Sequence, residues 1–116
     1  MVNKRIEIMS AEFRIHFENK DWFITNIDEV KMMITSLKTF VDAKSDGEYW
    51  LLGLESKAQA KHWDYDVRLF IEPESMFLEI SSHPKSIEDD LMGLFSAIRG
   101  KVNILILDED GELSNW

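Results

Sequence analysis

Apolar residues in this chain follow two different spacings, and the change from one to the other limits the possible folds more than any other sequence feature. In residues 12–17, Phe13, Ile15 and Phe17 occupy every second position, as in a strand with one buried face. Residues 27–41 instead carry apolar side chains at every third or fourth position, which predicts an amphipathic helix. The combination predicts a sheet with helices packed on one face.

The same criterion predicts further elements along the chain. A second helix is expected over residues 87–98, with Ser82 or Ser86 as its N-cap and Gly100 in the left-handed conformation after its last turn. The first helix is expected to end at residues 45–47. Additional strands are predicted at residues 22–24, 48–55, 63–71, 76–80 and 102–107. The strand at 22–24 is expected to form a hairpin with the first strand.

These elements place the chain in the α+β class, with a mainly antiparallel sheet of five to six strands and two helices in the order ββ-α-βββ-α-β. A chain of 116 residues has room for one domain, residues 1–116, which buries roughly two thirds of the surface exposed on unfolding. Ile6 and Ile8 alternate in the opposite phase to the first strand, and this predicts a bulge near residues 9–11.

The charge of the chain indicates which partners it can bind. Its 22 acidic and 13 basic residues give a net charge of −9, which repels nucleic acid and anionic membranes and attracts cationic proteins. No apolar run approaches the roughly 18 residues of a membrane span, and the first residues lack the apolar core of an export signal. The absence of cysteine excludes disulfides and thiolate metal sites, so we expect a cytoplasmic protein.

No residue pattern specifies a cofactor or a metal. His16, His62 and His83 lie in separate segments without metal-binding spacing, and no glycine-rich phosphate loop is present. Residues 108–111 resemble the start of a calcium loop, but a turn at Asp110 and Gly111 explains them without a metal. We therefore expect a protein that is not an enzyme and needs neither cofactor nor metal.

A histidine with two nearby aspartates leaves one catalytic alternative open. His62, Asp64 and Asp66 are expected along the polar face of the strand at 63–71, where a carboxylate and an imidazole could carry out acid-base chemistry. A solvated strand face explains the same alternation, because a half-buried strand needs polar residues on its outer side.

Two acidic segments carry a family resemblance. The segments WDYDVRLFIE (63–72) and LDEDGE (107–112), in a short acidic chain without cysteine, resemble bacterial immunity proteins of contact-dependent growth inhibition and related polymorphic toxin systems. The resemblance implies a cytoplasmic inhibitor that binds one cognate toxin, often a basic nuclease domain, and covers its active site.

On this basis we expect a set of toxin-binding residues in which six carboxylates are charge partners and a tryptophan is an apolar anchor. They are Asp64, Asp66, Glu72, Asp108, Asp110, Glu112 and Trp116. Two alternatives are an acidic adaptor module that binds basic protein segments and a small enzyme that uses His62 with Asp64 or Asp66. The sequence does not specify an oligomeric state.

Overall fold

A computed structural model describes residues 10–45 and 47–116, so Ile6, Ile8 and the start of the predicted bulge at residue 9 lie outside the described residues. The described chain forms six strands and four helices. In chain order they are β1 (Ala11–Phe17), α1 (Lys20–Thr25), α2 (Ile27–Thr35), β2 (Phe40–Ser45), β3 (Glu48–Leu51), α3 (Leu54–Lys57), β4 (Val67–Ile71), β5 (Ser75–Ile80), α4 (Lys85–Arg99) and β6 (Ile104–Leu107).

All six strands join one sheet in the order β2-β3-β4-β5-β1-β6, and every neighbouring pair is antiparallel. The predicted α+β class with a mainly antiparallel sheet is therefore confirmed. The first strand of the chain lies between β5 and β6, so that residues from both ends of the sequence meet in the sheet.

The hydrophobic core lies on one face of the sheet, under α1, α2 and α4. The alternation predicted for β1 is confirmed, since Ile15 and Phe17 are buried while Glu12 and His16 are exposed. The predicted apolar stripe of α4 is also confirmed, because its buried residues are Ile87, Leu91, Leu94, Phe95 and Ile98. Among the described residues, no helix is long and apolar enough to cross a bilayer.

The prediction of a strand at residues 22–24 is wrong, because this segment lies in α1. The side chain of Asn19 caps the helix by accepting a hydrogen bond from the backbone N–H of Trp22 at 3.0 Å, and Phe23 is buried in the core. An apolar run of three residues is too short to show whether its period is that of a strand or a helix. The capping residue Asn19 is the feature that favours a helix here.

The helix predicted over residues 27–41 is also shorter than expected, since α2 ends at Thr35 and Phe40 begins β2. Thr39 is fully buried, and its N–H and hydroxyl both donate to the Asp90 carboxylate of α4, at 2.8 and 2.7 Å. These bonds fix the chain in a non-helical path before β2. Gly47, with φ at 105°, then belongs to the connection between β2 and β3 and does not end a helix.

The two ends of α4 differ from the expected caps. Pro84, and not a serine, is the N-cap residue, and its side chain accepts no hydrogen bond from the free N–H groups of the first turn. Gly100 has φ of −67°, which is right-handed, so the predicted left-handed closure is wrong. A carboxylate from α3 supplies the missing cap. Glu55 accepts a hydrogen bond from the N–H of Ser86 at 3.0 Å.

The two edge strands of the sheet are irregular or covered. The pairing of β2 with β3 shifts register twice, between Phe40 and Asp42 and between Ala43 and Ser45. At the other edge, Leu107 of β6 forms an isolated antiparallel bridge with Leu113. The C-terminal residues thus partly cover the β6 edge.

Candidate binding surfaces at one end of the sheet

Most of the predicted binding residues lie beyond the same end of the sheet. Val67 of β4 and Ala11 of β1 both pair with Ile80, the last residue of β5, and these residues mark one end of the sheet. β6 is antiparallel to β1 and runs toward the same end, where its last residue, Leu107, pairs with Arg14. Five of the predicted residues follow or precede these strand ends, namely Asp64, Asp66, Asp108, Asp110 and Glu112. Because β4 and β6 are three strands apart in the sheet, the two acidic segments are separated by about 14 Å across the sheet.

Glu72 does not belong to this group. It lies after β4, at the opposite end of the sheet, and its carboxylate is paired with the Arg14 guanidinium and accepts from the Ser75 hydroxyl at 3.1 Å. An acidic side chain that is already paired offers little attraction to a cationic partner.

Residues 108–112 form a tight turn that we call the acidic hairpin. The N–H of Gly111 donates to the Asp108 carbonyl at 3.0 Å, and the N–H of Asp108 donates to the Glu112 carbonyl at 2.8 Å. Asp108 Oδ1 accepts from the N–H groups of Asp110 and Glu112, both at 2.9 Å. Gly111 has φ of 78°, a conformation that favours glycine. The turn predicted here is present, and Asp108 shapes it.

The other carboxylates of the acidic hairpin belong to exposed residues, and one of them, Glu109, accepts a hydrogen bond through Oε1 from the Glu12 N–H at 3.3 Å. Glu109, Asp110 and Glu112 are exposed, and none has a lysine or arginine of the described chain at ion-pair distance. Leu113, which follows them, exposes 70% of its surface. The hairpin therefore presents negative charge next to an apolar side chain.

Trp116 is a packing residue, which differs from the exposed anchor that the sequence predicts. Its ring makes edge contacts with Phe13 and Phe95, at centroid distances of 6.4 and 6.2 Å. It is half-buried against the core and holds the C-terminal segment on the body of the protein. Local sequence patterns carry no signal of this contact, because Phe13 and Phe95 lie far from Trp116 along the chain.

Asp66 is buried, although the sequence places it on a solvated strand face. The strand begins only at Val67, so the predicted alternation from Trp63 onward does not apply. Asp66 Oδ2 accepts from the N–H of Gly53 at 2.9 Å. Its Oδ1 is the one buried side-chain oxygen or nitrogen, among the residues that the structure describes, without a hydrogen-bond partner.

Asp66 forms part of the wall of an open cavity of about 430 Å³, which we call the Asp66 pocket. The wall also includes Trp63, which exposes 74% of its surface although the sequence predicts it in the core. The remaining wall residues are polar or basic: Ser56, Gln59, Lys61, His62 and Ser82. The sequence predicts no pocket here, because it predicts residues 63–66 as part of a strand, whereas β4 begins at Val67.

His62 and Asp66 both line the pocket, but the structure shows no hydrogen bond between the imidazole and the carboxylate. The His62 ring forms a hydrogen bond through Nδ1 with the Trp63 carbonyl at 2.8 Å. Within the described residues His62 has no hydrogen bond to Asp64 or Asp66, and no cluster of three or more histidine, aspartate or glutamate side chains could hold a metal ion.

A larger groove of about 820 Å³ lies between α4, β1 and the C-terminal segment. Its lining includes Phe13, Met92 and Trp116, and at one side the exposed pair of His83 Nδ1 and Glu88 Oε2, 2.7 Å apart. The buried polar atoms of this groove have hydrogen-bond partners, in contrast to Asp66 in the smaller pocket.

The face of the sheet opposite the core carries paired charges and aromatic rings. Arg68 bonds to Glu79 at 2.7 Å, and its guanidinium lies 4.9 Å from the Tyr65 ring centroid and 5.5 Å from that of Phe70. Burial disfavours the charged form of Arg68, but hydrogen bonding and attraction from Glu79 outweigh this and raise its pKa. The charges on this face neutralise one another, unlike those of the acidic hairpin.

No family model, curated protein or solved structure matches this chain significantly.

Proposed function

We propose that this protein is a cytoplasmic immunity protein that binds a basic bacterial toxin, with a nuclease domain as the expected target, and covers its active site. The observation that carries the proposal is the acidic hairpin, in which Glu109, Asp110 and Glu112 are exposed and form no ion pair with a lysine or arginine of the described residues. A nuclease that binds phosphates presents a cationic cleft, and carboxylates can occupy such a cleft in place of the phosphates.

The construction of the hairpin supports a role in docking. Asp108 fixes the turn through two hydrogen bonds, and Trp116 packs the following segment against the core. A charged group held in one conformation loses little conformational entropy on binding. The exposed Leu113 beside it adds the apolar contact that charge attraction alone does not supply.

The first experiment measures binding between this chain and the toxin domain encoded next to its gene, by surface plasmon resonance at several salt concentrations. We expect a dissociation constant of about 1 nM or less, one-to-one stoichiometry and an association rate that falls with salt. Micromolar binding to several unrelated basic peptides would instead support the adaptor alternative. Absence of binding to every neighbouring gene product would contradict the proposal.

A pair of matched variants tests the hairpin. Glu109→Gln, Asp110→Asn and Glu112→Gln together remove three charges, and so do Glu18→Gln, Asp21→Asn and Asp28→Asn, which are also exposed. We expect the hairpin variant to slow association about tenfold or more and the control variant to slow it about twofold. Equal effects would show that net charge alone governs the encounter and would contradict a docking role for the hairpin.

A further inference from the structure

We infer that the Asp66 pocket receives an arginine side chain of the partner protein, with the guanidinium bonded to Asp66 and lying against the Trp63 ring. The inference rests on the proposed function for the identity of the partner, and on the geometry of the pocket for the chemistry of the ligand.

The first argument is the hydrogen bonding of Asp66. An ionised carboxylate has about four acceptor positions, yet Oδ2 accepts one backbone bond and Oδ1 accepts none among the described residues. A buried carboxylate without donors is costly, whereas a charged donor in the pocket would satisfy it. Asp66 exposes no surface in the free protein, so side chains of the pocket wall must shift for a guanidinium to reach Oδ1, and the bond then forms away from bulk water.

The second argument is the exposed indole of Trp63. A tryptophan with 74% of its surface exposed is unusual for such a large apolar side chain, and tryptophan is the best aromatic partner for a cation. The planar guanidinium can lie against the ring while its edge donates to a carboxylate, which a lysine ammonium cannot do in the same way. Polar groups of Ser56 and Gln59 in the same wall can accept the remaining N–H groups.

The third argument is that the backbone around Asp66 is fixed before binding. The Asp66 N–H donates to the Leu51 carbonyl at 2.8 Å, and the Asp66 carbonyl accepts from the Ser81 N–H at 2.8 Å. A site that is already ordered loses less free energy on binding. Lys61, in the same wall, opposes a cationic ligand, so its removal should strengthen binding.

The test uses N-acetyl-arginine methylamide as probe, with the lysine and citrulline methylamides for comparison, and follows the Trp63 indole N–H by NMR. We expect saturable binding of the arginine compound with a dissociation constant on the order of millimolar, and about fivefold weaker binding of lysine. Citrulline, which has a similar shape without charge, should show no saturable shift. Equal binding of citrulline, or no arginine-dependent shift, would refute the inference.

Variants assign the binding to named groups. Asp66→Asn should weaken arginine binding about fivefold or more, while Asp28→Asn, which neutralises an exposed carboxylate on α2, should change it less than about twofold. Lys61→Ala should strengthen it. Trp63→Ala, monitored through backbone amides, should abolish saturable binding of the arginine compound. Because Trp63 is exposed, this variant should fold, and it provides the test if Asp66→Asn does not fold. Equal losses in the two aspartate variants would contradict the assignment.

These measurements need no toxin, so they separate the two proposals. Arginine binding without toxin binding would leave the pocket assigned and refute the immunity function. Toxin binding without arginine binding would refute the pocket and leave the immunity function in place.

Discussion

Gly53 illustrates how one residue supports a buried carboxylate. Its N–H donates to Asp66, and a Cβ at this position would lie 2.6 Å from Pro84 Cγ and 3.0 Å from Asp66 Oδ2. The backbone at Gly53 has φ of −63° and ψ of 148°, which any residue adopts. Glycine is therefore required here because there is no room for a side chain, and not because of the backbone conformation.

We expect Gly53→Ala to destabilise the protein by about 1–3 kcal/mol, because the proline ring and the carboxylate must both shift. The matched control is Gly93→Ala, where a Cβ on the exposed side of α4 meets no atom within 4 Å. The Gly93→Ala variant should be more stable to unfolding by about 0.5–1 kcal/mol, because alanine restricts the unfolded chain and favours the helix. Urea denaturation measures both. Destabilisation of equal size in the two variants would contradict the steric explanation.

The identity of the charged side chains follows from the sequence, but which of them are exposed and unpaired does not. The sequence predicts a turn at Asp110 and Gly111, and the structure shows a turn there. A strand that begins at residue 63 predicts a solvated Asp66 and an inward-facing Trp63, whereas β4 begins at Val67, Asp66 is buried and Trp63 is exposed. Three-dimensional neighbours from distant segments, such as Gly53 and Phe95, decide the burial of Asp66 and Trp116.

The length of each periodic segment determines which helices can be predicted from the sequence. The helix α4 has 15 residues, and its whole buried stripe follows from spacing. The helices α1 and α3 have 6 and 4 residues, too few for a period to be visible. Their existence depends on local capping at Asn19 and on the contact of Glu55 with Ser86.

The junction of α3 and α4 leads to a prediction about pH. Glu55 accepts hydrogen bonds from the Ser86 hydroxyl, at 2.5 Å, and from the Ser86 N–H, and the hydroxyl bond is the largest cause of a pKa below the ordinary value of 4.5. Because the folded-state pKa is lowered, the stabilisation is present above the unfolded pKa and is lost as pH falls through the folded one.

We therefore expect the NMR titration midpoint of the Glu55 carboxyl to lie below that of an unstructured glutamate, and Ser86→Ala to raise it. Ser96→Ala, an exposed serine elsewhere on α4, is the control and should leave the midpoint unchanged. A Glu55 midpoint that is identical in the two variants would show that the serine hydroxyl does not cause the lowered pKa.

The class of fold is predictable from the sequence, but the order of the strands in the sheet is not. The two different spacings of apolar residues predict a sheet with helices on one face, and the structure has this arrangement. The pairing of β1 with β5 and β6 joins segments far apart in sequence, and local patterns carry no information about such partners. The sequence also gave the total charge without its distribution, and paired residues such as Glu72 show why the distribution matters.

The continuous core leads to a prediction about how the protein unfolds. The core cluster contains side chains from α1, α2 and α4 and from five of the strands, among them Phe23, Val30 and Phe95. We expect residues 1–116 to unfold as a single domain, with urea transitions from tryptophan fluorescence and far-ultraviolet circular dichroism that coincide. Separate midpoints for the two probes would contradict a single cooperative unit.

The irregular pairing of β2 has a consequence for behaviour at high concentration. An outer strand with regular, unpaired amides is a template on which a second molecule can add, and repeated addition produces fibres. In β2 two register shifts interrupt that template, and Asp42 and Lys44 place charges along it. Concentrated solutions of this protein should therefore resist growth of intermolecular β-structure from this side.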